Sequence, residues 1–233
     1  MKTPAWIALG FASFFVAQTP VAEAVELEHA AISKRVIRET ARAFGPEAAD
    51  RVVAWSDLVM KNKDKPIAEK LALANNFFNQ IPIKPEKEIW GHMHWATPFE
   101  LLQRNVGSQA DHVIGKYITL EALGVGIEQL RMTHVHSMKS ADLSYMVLTY
   151  QEKPGVMPLV LDTMDKEIKP ANERADLFPE HSLNDSGLWL SNQQKDGRSD
   201  AQEEASAHVE LWNEMNARMD KELLSTEDPS SMW

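Results

Sequence analysis

Residues 107–117 read Gly107-Ser108-Gln109-Ala110-Asp111-His112-Val113-Ile114-Gly115-Lys116-Tyr117, and the rest of the chain is organised around them. It is a tight turn running into a buried helix. Ser108 is placed to cap the helix start, and Asp111 follows three residues later, the capping-box spacing. Val113, Ile114, Tyr117 and Ile118 give an apolar face at helical spacing, and Gly124 marks the stop. A helix N-terminus concentrates partial positive charge, so a thiol at such a turn would ionise easily and attack carbonyls. None is present: Gln109 occupies the turn, and the chain has no cysteine.

Around this helix the spacing predicts an α+β domain. Before it, helices are expected over 28–43, from Pro46 through Val52, Trp55 and Val59, and from about Pro66 with Asp64 placed as its cap. Ile67, Leu71, Ala74 and Phe78 align on the third. A proline loop at 81–85 follows, then Trp90 to Leu102, where Thr97 or Ala96 precedes a short helix opened by Pro98. After the central helix the period becomes two. Strands are expected over 128–137, 143–150 and 157–162, joined by short turns into an antiparallel meander against which the helix packs. Residues 163–198 read as mostly irregular, with short pieces such as Leu188-Trp189-Leu190 and a polar surface loop from Asn192 to Asp200. A last helix over 201–224 aligns Ala205, Val209, Trp212, Met215, Met219 and Leu223. It packs back on the domain or meets a partner, and a flexible tail follows.

The N-terminus reads as a secretory signal. Lys2 precedes an apolar run from Ala5 to Val16, and Ala22-Glu23-Ala24 is a small-x-small cleavage site. The expected organisation is therefore a signal peptide at 1–24, a domain at 25–198, a helix at 199–225 and a tail at 226–233. The apolar run is short for a membrane span. A net charge of −10 argues against nucleic acid or anionic lipid as a primary partner. The absence of cysteine excludes disulfides and every thiol mechanism of the isolated chain.

The stretch resembles the nucleophile helix of the bacterial transglutaminase-like cysteine peptidases, the LapG-type periplasmic proteases that trim surface adhesins. The family's turn reads Gly-Asp-Cys-Glu-Asp-Tyr-Ala, and Gln109 stands in the cysteine's place. The likeness extends through Phe77-Phe78-Asn79, Trp95 to Glu100, Tyr145 to Tyr150, Pro158 to Asp162 and Gly187-Leu188-Trp189. It implies a papain/transglutaminase-like core. The family's histidine strand, Ala-His-Met-Val-Leu, corresponds to Ser144-Tyr145-Met146-Val147-Leu148, so Tyr145 replaces the base; Asp162 is retained. Two of three triad positions therefore carry residues unsuited to the chemistry: an amide is no nucleophile, and a phenol titrates near pH 10. Tyr145 is placed instead to hydrogen-bond to Asp162 or Gln109. The family's calcium-binding acids flank the cysteine; the matching positions hold Ser108 and Ala110, which implies that the calcium site is lost.

The resemblance thus implies a degenerate, periplasmic pseudoprotease that acts by binding, in adhesin retention and biofilm control linked to cyclic-di-GMP. A LapD-type receptor, an adhesin or an active protease is its expected partner, and it meets the membrane only through that partner. Trp95, Glu100, Ser108, Asp111 and His112 are the expected cleft residues. Two alternatives come from the residues themselves. His92 and His94, with His134 and His136, form two His-x-His pairs that could meet around zinc or copper in a metal-dependent hydrolase. The last helix could equally serve assembly in a structural envelope protein.

Overall fold

The computed structural model describes residues 34–138, 143–190 and 199–224. The signal-peptide reading, the start of the first expected helix, the expected loop from Asn192 as far as 198 and the tail fall outside them; Ser199 and Asp200, expected in that loop, open the last helix instead. Seven α-helices occur among the described residues: α1 (Lys34–Phe44), α2 (Pro46–Asn62), α3 (Ile67–Phe78), α4 (Glu86–Trp90), α5 (Pro98–Arg104), α6 (Gln109–Ala122) and α7 (Ser199–Leu224). Six strands, β1 (Leu130–Ser137), β2 (Leu143–Tyr150), β3 (Leu159–Leu161), β4 (Lys169–Pro170), β5 (Leu177–Asn184) and β6 (Gly187–Leu190), form one antiparallel sheet in the order β4-β3-β2-β1-β5-β6.

Helix α6 is the pillar. Eleven of its fourteen residues are buried, so it is wrapped on nearly every side and not merely laid on a surface. Ser108 accepts from the Asp111 backbone N–H while the Asp111 carboxylate accepts from the Ser108 N–H, the expected capping box. Thr97 and Glu100 repeat the device at the start of α5. At the other end of α6, the buried Lys70 ammonium donates to the Leu123 carbonyl at 2.7 Å, where the helix dipole favours a cation. Midway, Trp55 donates to the Thr119 hydroxyl at 2.7 Å, joining α2 to the pillar. Phe78 of α3 lies so close that a Cβ on Gly115 would run into its ring.

By strand alternation, Leu130 and Met132 of β1 and Met146, Leu148 and Tyr150 of β2 face the helices. They join one large core with Trp55, Phe78, Trp95, Tyr117, Trp212 and Met215. Val135, Tyr145, Val147 and Val160 turn to the opposite side of the sheet. There they make a second, smaller cluster with Ala171 and Leu177. Helix α7 packs back on the domain: Ala205, His208, Trp212 and Met215 are buried at helical spacing, and the Trp212 ring meets Tyr117 edge-on at 5.4 Å.

Three expectations need correction. Within 163–190, the described part of the stretch read as mostly irregular, half of the residues are in strands: β5 lies beside β1 in mid-sheet, and β6 pairs with it as a hairpin. The cause of the misreading is a bulge. Glu180 is an extra residue opposite the His134/Val135 step, so Leu177 and Pro179 face one side while His181 and Leu183 face the other. Uniform alternation is lost, and Pro179, ordinarily a strand breaker, is tolerated beside the irregularity. Asp64 does not cap α3, whose N-cap is Pro66 without a side-chain cap bond. The third strand is also shorter than 157–162, covering Leu159–Leu161.

Candidate functional site

The three positions singled out in the sequence are carried by α6, by β2 and by the residue after β3. Gln109 is the first residue of α6 and half-buried. Tyr145 and Asp162 lie on and just beyond β2 and β3, and the structure brings those two together: the Tyr145 hydroxyl donates to Asp162 Oδ2 at 3.0 Å. Among the described residues no hydrogen bond joins Gln109 to either of them.

Asp162 is completely buried and fully engaged. Its Oδ2 also meets the Arg174 guanidinium at 2.9 Å, and its Oδ1 accepts from the Met164 N–H at 2.9 Å. Its carbonyl accepts from Asn79 at 3.0 Å and from the buried Lys116 ammonium at 3.2 Å. Arg174, 3% exposed, forks onto Asp176 as well, with both bonds at 3.1 Å. Burial first, and the Asp162 charge second, push the Tyr145 phenol well above its ordinary range, so it remains a hydrogen-bond donor and offers no base. Burial pulls Lys116 down to about 7, against the opposing pull of Asp162. Sequence reasoning missed both Arg174 and Lys116. Arg174 lies in a stretch read as irregular, and Lys116 falls on the buried side of a helix where a lysine is not expected.

The five expected cleft residues are placed as follows. Asp111 is 1% exposed, and its Oδ1 accepts from Ala96 N–H and its Oδ2 from Ser108 N–H, each at 2.7 Å. His112 is fully buried; its ring nitrogens face the carbonyls of Ser108 at 2.6 Å and Ile81 at 3.0 Å, and burial pulls its pKa down. It is a brace, with neither nitrogen open to a substrate. Trp95 is buried, and its carbonyl accepts from Arg218 of α7. Glu100 caps α5 and meets His94 at 3.1 Å and Arg218 at 3.5 Å. Ser108 donates to Glu86 at 3.5 Å, and burial, with Asp111 nearby, pushes Glu86 up to about 7.

At the start of α6 the residues that flank Gln109, Ser108 and Ala110, carry no carboxylate, and Asp111 is the acid of that turn. Asp111 already accepts N–H bonds on both oxygens, Ala110 offers no side-chain ligand, and Ser108 and Glu86 bond each other. A hard cation asks for six to eight oxygens.

The two His-x-His pairs do not meet. His92 and His94 touch each other edge-on at 5.8 Å, with His94 packed on Trp90 and bonded to Glu100. His136 reaches Ser144 at 3.4 Å. His134 instead gathers with two histidines that spacing never suggested, His181 of β5 and His208 of α7, with ring centroids 4.9–5.1 Å apart. Burial and the neighbouring imidazoles pull His181 down to about 3 and His208 down to about 4.

A capped, wrapped helix packed on an antiparallel sheet, with an aspartate following a short strand, is the α+β arrangement of the transglutaminase-like peptidases. Solved structures bear this out. Legionella pneumophila LapG is 33% identical over 81% of this chain and 98% of its own, with a TM-score of 0.66. Its EGTA-treated form gives 32%, the same coverage and 0.67. Its calcium-bound form gives 31% over 76% and 99%, with a TM-score of 0.62. This chain belongs to the LapG family. No family model matches the chain, and no curated protein does.

Proposed function

We propose that this chain is a catalytically inactive LapG-family protein of the periplasm that acts by binding. One observation carries the reading: the LapG fold is built here by a chain without any cysteine, with Gln109 at the position where the resemblance puts the family's thiol. The surroundings support it. The phenol at the family's histidine position is tied to the retained aspartate, and an arginine neutralises that aspartate, so the former acid–base pair acts as a structural clamp. Binding needs a surface, not a nucleophile, and survives these losses.

The partner falls within adhesin retention: a LapD-type receptor, the adhesin segment that active relatives cut, or an active protease. In each case the chain would compete for a contact that an active relative makes, and cyclic-di-GMP would set its strength through the receptor. The test uses the full chain, purified, with the periplasmic domain of such a receptor and with an adhesin N-terminal segment. Saturable binding to at least one, without cleavage of the adhesin at any calcium concentration, is the expected result. Adhesin cleavage that disappears on changing Gln109 or Tyr145 would overturn the inactive reading. Binding to neither would overturn the role in retention.

A further inference from the structure

We propose that His134, Glu204 and His208 hold a divalent transition metal, zinc being the ion that fits, and that the ion fastens α7 to the sheet. A ring nitrogen of each histidine and a carboxylate oxygen of Glu204 lie within 4.8 Å of one another. His134 Nε2 and Glu204 Oε1 are already 3.7 Å apart. Two imidazoles and a carboxylate suit zinc, whereas calcium and magnesium ask for oxygen throughout. Nitrogen and oxygen ligands about 2.0–2.1 Å from zinc stand roughly 3.3 Å from each other in a tetrahedron, so the set must contract. Glu204 can supply that movement, since its side chain is 47% exposed.

The outer partners carry the inference beyond proximity. Glu180 accepts from His134 Nδ1 at 3.0 Å, which leaves Nε2 bare on the side of Glu204. A carboxylate behind a ligating imidazole is the usual way a zinc site fixes tautomer and ring orientation. Glu180 is also the bulge residue of β5, and bulges re-aim side chains beside functional sites. His181, 2% exposed, places its Nε2 2.9 Å from His208 Nδ1 and orients the second ligand in the same manner. Its own Nδ1 is buried without a partner among the described residues, a polar atom that packing alone does not account for. Three protein ligands leave one position of a tetrahedral ion for water. The site shares no residue with Gln109, Tyr145 and Asp162, His134 lies on the face of the sheet opposite to Tyr145, and the proposal does not rest on the binding function proposed above.

The test is zinc binding by the full chain, stripped with a chelator and titrated calorimetrically. One ion per chain is expected. Glu204→Gln, at a half-exposed position that leaves the fold intact, and His208→Gln should each weaken binding 10-fold or more. His92→Gln and His136→Gln should leave it unchanged. Zinc should slow amide exchange in α7, and cobalt in its place should give the visible absorption of a tetrahedral ion. Absence of stoichiometric zinc binding overturns the proposal. So does binding that survives both Glu204→Gln and His208→Gln, or binding that vanishes with His92→Gln or His136→Gln.

Discussion

Replacing Arg174 with alanine leaves the Asp162 carboxylate, fully buried, without its cation. Removing one partner of a buried ion pair costs about 3–5 kcal/mol. The Tyr145 hydroxyl and the Met164 N–H still reach the carboxylate, which places the loss near the lower end, about 3 kcal/mol. Tyr145→Phe removes one hydrogen bond to the same oxygen and leaves Arg174 in place. It should cost about 1–2 kcal/mol. The two side chains share Asp162 Oδ2, so their effects should fail to add by at least ~0.5 kcal/mol. Asp162→Asn in the Arg174→Ala background should recover part of the loss, because the stranded charge is gone. Equilibrium urea unfolding with an unchanged slope measures all four variants. In a thermal scan, Arg174→Ala should lower the midpoint by about 6–12 °C. If Arg174→Ala costs less than Tyr145→Phe, or if Asp162→Asn makes it worse, Asp162 is not held as a charged clamp and the structural role of Tyr145 falls with it.

Gly115→Ala should destabilise by about 1–3 kcal/mol, since the new methyl meets the fully buried Phe78 ring; a neutral result in urea unfolding would show that α3 can shift away. Lys116 gives a pH signature. Its pKa falls from 10.5 unfolded to about 7 folded, so between those values the unfolded chain holds a proton that the folded chain lacks, and stability rises with pH. Lys116→Met should flatten that rise, and parallel stability curves for the two proteins from pH 7 to 10 would refute it. Trp212→Ala should cost about 3–5 kcal/mol, because the buried ring packs on Tyr117 and its N–H donates to Asp185 at 3.1 Å; a loss below ~1 kcal/mol would mean that α7 is only loosely seated.

How much of this was legible depended on whether the signal was local. Thr97/Glu100 and Ser108/Asp111 sit three residues apart, so the starts of α5 and α6 could be read directly. The alternation from Leu130 to His136 and from Leu143 to Tyr150 announced β1 and β2. β5 was hidden because Glu180 breaks its alternation and Pro179 mimics a loop. Its neighbour β1 lies some forty residues earlier, and no local pattern records that pairing. The family resemblance offered Asp162 or Gln109 as the partner of Tyr145, and the structure shows Asp162; nothing in the sequence pointed to Arg174. The histidine cluster was the least legible, since His134, His181 and His208 come from three elements and each alone reads as an ordinary core histidine. Spacing within one strand favoured His136 as the companion of His134, and alternation with the bulge chose His181.

Helix α7 carries one more consequence. A nascent chain that has reached Leu190 possesses its whole sheet and the pillar helix, yet one flank, including Trp95 and Tyr117, still waits for Trp212 and Met215. Synthesis order therefore runs against early closure, because the helix that completes the core follows every strand of the sheet along the chain.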